Sequence, residues 1–150
     1  MKSFRITSTA FAQGSPIPAR YTADGDDISP PLEIHDPPDG TQSLALVMDD
    51  PDAPVGTWVH WVVWRIPPQS RELRPGEAPA GAVEGRNSWG RSGYGGPAPP
   101  SGTHRYFFKL FALDVSPELP PTTDKAALLK AMDGHVLGQA QLMGTYTRGR

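Results

Sequence analysis

Cysteine is absent from all 150 residues. That excludes disulfides, thiolate nucleophiles and cysteine-ligated zinc; it does not by itself fix the compartment, but it fits a reducing cytosol, and a cytoplasmic protein is expected. Long apolar runs are missing as well. The opening MKSFRITSTAF holds no stretch long enough for a signal peptide, and no window approaches the ~20 apolar residues of a membrane span. Nor does charge of one sign dominate. Lys and Arg number 14 against 16 Asp and Glu, a formal charge of −2, which leaves no basic footprint for nucleic acid. Neither an internal repeat nor a composition break divides the chain, so one domain over residues 1–150 is expected, long enough to bury a normal core.

Turn formers, by contrast, are plentiful, with 16 glycines and 18 prolines between aromatic-rich apolar segments. That punctuation suits strands joined by long, ordered loops. The chain is organised around Leu44 to Ile66, LALVMDDPDAPVGTWVHWVVWRI. Ser43 to Met48 reads as a short aliphatic strand, and Thr57 to Ile66 as a longer strand rich in β-branched and aromatic residues. Strict alternation puts Trp58, His60, Val62, Trp64 and Ile66 on one face and Val59, Trp61 and Val63 on the other. Both faces are apolar, so this strand is expected to be central.

Elsewhere, Phe4 and Ile6 alternate with polar neighbours as in a first strand. Ala12 to Pro31 is turn-rich and expected to wrap the surface. Leu32 to Ile34 suggests a short strand before the DPPDG turn. Pro67 to Gly85 reads as a surface connection, and Asn87 to Gly102 as an ordered loop. His104 to Asp114 is a strong strand, with His104, Tyr106, Phe108 and Leu110 on one face and Arg105, Phe107, Lys109 and Phe111 on the other. Thr122 or Thr123 is expected to cap a helix running from Asp124 to Met132, with Gly134 beyond its end. Gln139 to Tyr146 closes the sheet.

Three polar side chains stand where apolar strands meet loops: Asp50 at a strand's exit, His60 and His104 at two entrances. A carboxylate beside an imidazole fixes its tautomer and leaves the other ring nitrogen to a ligand. Glycines Gly95, Gly96 and Gly102 allow close backbone approach, and Pro97, Pro99 and Pro100 stiffen the same loop. With Tyr106 alongside, such a set suits a small anion such as phosphate. The DPDAP and GGPAPP loops are expected to be rigid, with a cis X–Pro bond among them. His135 is expected to cap the helix C-terminus and His35 to sit in a surface turn, and Trp58, Trp61 and Trp64 read mostly as core.

These motifs resemble a known family, the phosphatidylethanolamine-binding proteins, which include the Raf kinase inhibitory protein. DPDAP at Asp50 to Pro54 followed by WVHW at Trp58 to Trp61 resembles its first motif, and YGGPAPPSGTHRYFF at Tyr94 to Phe108 its second. The bacterial and archaeal branch is the most similar, and the final GTY at Gly144 to Tyr146 continues the likeness. The resemblance implies a mainly β, antiparallel Greek-key sandwich with a large central sheet, one clear helix and long ordered loops. It implies an anion pocket of Asp50, His60, Gly96, Pro97, His104 and Tyr106, with Asp52 and Arg105 as structural partners and Pro54 and Trp58 at the wall. It also implies a binding protein rather than an enzyme, without metal or other cofactor. The ligand would be a phosphate or phosphoryl head group, and the partner a kinase or protease. Three departures stand out. Val59 occupies the place of a second histidine in eukaryotic members, and Ala98 that of a cysteine in many bacterial ones. The chain ends at Arg150, where eukaryotic members continue into a tail with a helix. Apolar surface left open without that tail suggests a weak homodimer.

Two rival chemistries remain open from the residues. A hydrolase using His104 or His60 with Asp50 would need a nucleophile such as Ser101 or Thr103, although no GxSxG elbow is present. Two histidines and a carboxylate also match a metal triad, although His60 and His104 lie on separate strands.

Overall fold

In the computed structural model, residues 3–148 are described, so the chain end at Arg150 lies outside them. Eight strands and one α-helix follow in the order β1 (Arg5–Thr7), β2 (Leu32–His35), β3 (Ser43–Asp50), β4 (Trp58–Ile66), β5 (Glu72–Leu73), β6 (Val83–Glu84), β7 (Gly102–Leu113), α1 (Lys125–Met132) and β8 (Val136–Arg148). They form two antiparallel sheets, a small one ordered β1-β2-β5 and a large one ordered β6-β4-β3-β7-β8. The mainly β, antiparallel architecture with one helix is therefore as expected.

Burial explains the layering. All eight residues of β3 are buried, as suits a central strand covered on both faces. Leu44, Leu46 and Met48 face the small sheet with Phe108 and Leu110 of β7, joining Ile6, Leu32, Ile34 and Leu73 in the main core. Ala45 and Val47 face the opposite way and pack with Trp64, Phe111, Leu128 and Met132 beneath α1. No helix among the described residues is long and apolar enough to cross a membrane.

Strand β4 departs from the strict alternation expected of it. Met48 pairs with Trp61 and Asp49 with Val59, so one step on β3 spans two on β4 and His60 is the extra residue of a β-bulge. A second shift separates the pairs Leu44–Ile66 and Leu46–Val63, and there Arg65 adopts φ 59°. Trp61, Val63 and Ile66 consequently lie in the main core, whereas Val62 and Trp64 turn towards the helix with Val59. The bulge leaves His60 and Trp61, consecutive in sequence, on the same side of the sheet. The alternation expected for β7 holds, with His104, Tyr106, Phe108 and Leu110 sharing one face.

Smaller differences have local causes. Asp124, rather than Thr122 or Thr123, caps α1: its carboxylate accepts from the Ala127 amide at 3.0 Å. Gly134, at φ 82°, follows the helix as expected. The connection from Pro67 to Gly85 contributes two short strands, β5 and β6, one to each sheet. Strand β8 is longer than Gln139 to Tyr146 because it pairs with β7 along nearly its whole length. His35 lies in β2 rather than a turn, with Nε2 2.8 Å from the Thr7 hydroxyl. The His135 amide donates to Met132 O at the helix end, while its ring bonds Asp114 at 2.8 Å. No peptide bond among the described residues is cis, contrary to the expectation for the proline loops.

Candidate functional site

At one end of the large sheet, β3 exits into the DPDAP turn while β4 and β7 enter. Antiparallel pairing brings Asp50, His60 and His104 to this end from three adjacent strands. Asp49 and Asp50, adjacent in sequence, diverge because a strand alternates faces. Asp49 turns towards the helix side, where Lys109 and Lys125 donate to its carboxylate at 3.1 and 2.7 Å. Asp50 turns the other way. Its Oδ2 accepts from His104 Nδ1 at 2.7 Å and its Oδ1 from the Asp52 amide at 2.7 Å, and both Asp50 and His104 are buried.

The His60 ring is held by the second loop. Its Nδ1 lies 2.7 Å from the Gly95 carbonyl, and Gly95 N in turn donates to His60 O at 3.0 Å. A carbonyl only accepts, so Nδ1 of His60 carries a proton. Trp89 and Tyr106 pack edge-on against this ring, with centroids 5.0 and 5.2 Å away. Burial, opposed by the bond to Gly95 and by the charge of Asp50, pushes the His60 pKa below its ordinary value.

A cavity of about 220 Å³ opens here, lined by Asp50, His60, His104 and Tyr106 with Trp58, Trp89 and the loop residues Ala53 to Val55 and Ala98 to Pro100. Tyr106 is fully buried and its hydroxyl has no hydrogen-bond partner among the described residues. Burial also pushes that phenol well above its ordinary range, so it stays a neutral O–H.

The residues expected at the site do not all reach the cavity. Pro54 and Trp58 line it, but Gly96 and Pro97 do not. The Gly96 amide donates to Asp27 at 2.7 Å and Pro97 O accepts from Ala23 N, so both are tied to the loop after β1. A Cβ at Gly96 would meet Asp27 and the Tyr21 carbonyl, which is why the chain needs glycine there. Asp52 and Arg105 form a bidentate pair at 2.8–2.9 Å beside the cavity. The Arg105 guanidinium holds the Asp52 carboxyl at about 2, with burial opposing. Ser101 is exposed, and Thr103 bonds Thr147 at 2.7 Å; neither lines the cavity. Among the described residues, no group of three or more His, Cys, Asp and Glu is arranged to hold a metal ion.

Sequence reasoning missed Trp89 as a wall and Asp27 as the acceptor behind Gly96. An aromatic in a glycine-rich loop was the available signal for the first. Asp27 has φ 56°, a left-handed conformation that sequence spacing does not announce.

The sequence profile of the phosphatidylethanolamine-binding proteins matches residues 7–147, nearly the whole described chain. The chain belongs to the phosphatidylethanolamine-binding protein family. Curated relatives include a UPF0098 protein of Methanothermobacter thermautotrophicus, 52% identical over 96% of this chain and 99% of its own. Another from Aquifex aeolicus is 49% identical over 95% and 88%. Among solved structures, a Chlamydia trachomatis protein described as a homologue of the phosphatidylethanolamine-binding proteins superposes with TM-score 0.95 at 42% identity, covering 99% of both chains. The structure of E. coli YbcL, described as a new member of the mammalian family, has TM-score 0.91 at 30% identity and covers 97% of this chain and 98% of its own. The family is named for binding, not for turnover.

Proposed function

We propose that this phosphatidylethanolamine-binding protein family member binds a phosphoryl or other small anionic group in the cavity of Asp50, His60, His104 and Tyr106. One observation supports it most: the buried Tyr106 hydroxyl has no partner among the described residues, and Tyr106 lines the same cavity as both imidazoles. An unpartnered buried hydroxyl costs roughly 1–3 kcal/mol, which a bound acceptor would recover. Both histidines spend Nδ1 on the protein, leaving Nε2 to a ligand. Asp50 balances the charge of a protonated His104, and Trp58 and Trp89 wall the cavity mouth. Gly96 and Pro97 support the loop from behind.

Binding is expected to weaken as pH rises, because only an imidazolium adds ionic attraction to its hydrogen bond. Replacing His104 with alanine removes a donor worth roughly 1.5–3 kcal/mol, so affinity is expected to fall about ten- to a hundredfold. Calorimetric titration of phosphoethanolamine into wild type and His104→Ala, at about pH 5.5 and 8, measures both effects. Equal affinity in the two proteins would place the anion elsewhere.

On the same reading the liganded pocket modulates a protein partner, such as a kinase, in the cytoplasm. Weak self-association completes the proposal, since Val136 and Leu137 are exposed at the start of β8. Sedimentation at high protein concentration is expected to show a dimer, and monomer alone would remove that part.

A further inference from the structure

The two imidazoles of the cavity are not equivalent. His104 gives its Nδ1 proton to a carboxylate, so a second proton at Nε2 would have its charge balanced at 2.7 Å by Asp50. His60 gives its Nδ1 proton to the Gly95 carbonyl, a neutral acceptor that balances no charge. The His60 ring is buried among Trp89, Tyr106 and the Gly95 backbone. The ionisable groups that face it are Asp50 from β3 and His104 and Tyr106 from β7, and Asp49 of β3 acts on it from the other side of the sheet. Asp50 is already bonded to His104, and Asp49 lies across the sheet between two lysines. A ring held in this way keeps one proton, at Nδ1, and turns a lone pair at Nε2 towards the ligand. Burial lowering its pKa acts in the same direction.

From this juxtaposition we infer that the cavity selects an oxyanion carrying its own proton: a phosphomonoester or inorganic phosphate as the monoanion, whose P–OH donates to His60 Nε2. The remaining phosphoryl oxygens accept from the Tyr106 hydroxyl and from His104. This rests on the anion reading above and narrows it. Sulfate, and any phosphodiester lacking another donor, has no proton to give at neutral pH and meets the His60 lone pair acceptor to acceptor. A site built to accept from a ligand hydroxyl discriminates strongly against analogues that lack one. Such ligands bind only if His60 takes up a second proton, which its burial opposes.

The test is calorimetric titration at about pH 7 with inorganic phosphate, methyl phosphate, dimethyl phosphate and sulfate. Inorganic and methyl phosphate separate free from esterified phosphate, and the other two supply tetrahedral anions without a proton. Sulfate and dimethyl phosphate are expected to bind at least about a hundredfold more weakly than methyl phosphate. Comparable affinity for all four overturns the proton requirement while leaving the anion pocket standing. No binding of any of the four overturns both. The proton itself can be located through the imidazole ¹⁵N shifts of His60 in the methyl phosphate complex. A neutral ring with its proton on Nδ1 is the expected result, and a doubly protonated ring refutes the proposal. His60→Gln, whose amide can turn an N–H₂ towards the anion, is expected to close most of the gap between methyl phosphate and sulfate. Should that variant fail to fold, the wild-type ligand series and the ring shifts still decide.

Discussion

Asp50→Ala is expected to lower both stability and anion affinity, stability by about 2–4 kcal/mol and affinity more than a hundredfold. The carboxylate joins the His104 ring to the DPDAP turn. Its Oδ2 holds the buried His104 ring at 2.7 Å, and its Oδ1 holds the Asp52 amide at the first residue pair of the DPDAP turn. Alanine leaves the N–H of the buried His104 ring without its acceptor, the situation in which a lost hydrogen bond costs most, and it also frees the turn amide. It also removes the negative charge that would balance a second proton on the His104 ring, so the loss of affinity exceeds that from a single hydrogen bond. Asp50→Asn separates the two effects. Its amide oxygen still accepts from His104, so the ring stays oriented while the charge is lost, and stability should fall less than affinity. Urea unfolding followed by calorimetry with phosphoethanolamine measures both. Wild-type stability in Asp50→Ala would mean that the pair does not organise the site.

Trp61→Ala is expected to cost about 3–5 kcal/mol, among the largest effects of any single replacement outside the cavity. The indole is 1% exposed, meets the Tyr94 ring edge-on at 5.5 Å and donates to Glu84 at 2.7 Å. Its removal opens a void between the sheets and strips an edge strand of a side-chain anchor. The midpoint of thermal unfolding should fall by roughly ten degrees or more. Trp58→Ala is the instructive contrast. Trp58 is only half-buried and stands at the cavity mouth against Trp89, so its loss should affect ligand affinity more than the unfolding midpoint. A drop in Trp58→Ala stability equal to that of Trp61→Ala would contradict this division between wall and core.

The bulge at His60 connects these two residues. Without an extra residue in β4, alternation would send His60 and Trp61 to opposite faces, and a core that buries Trp61 would turn the imidazole towards the helix. The bulge places the core aromatic and the ligand-facing histidine side by side on one surface. Bulges beside functional sites commonly re-aim a side chain in this way. Here the cavity and the main core are built from one strand without competing for the same positions.

What the sequence determined by itself is what local chemistry controls. β-Branched and aromatic runs in Ser43 to Ile66 and His104 to Asp114 specify central strands, because such side chains fit a pleated surface covered on both sides. Carboxylate and histidines at strand ends specify a polar cluster, since antiparallel pairing returns each exit beside the next entrance. The DPDAP and YGGPAPPSGTHRYFF motifs specified the family. Tertiary structure decided the rest. Whether β4 alternates depends on its register against β3, a pairing of two strands that neither encodes alone. Whether the Gly96 amide faces a ligand or Asp27 depends on a loop some 70 positions earlier folding against it. Whether Trp89 closes the cavity depends on the space left above Gly95, where any side chain would collide with the indole. Strand identity and polarity are short-range properties of the chain, whereas the aim of a side chain is set by contacts between segments far apart in it.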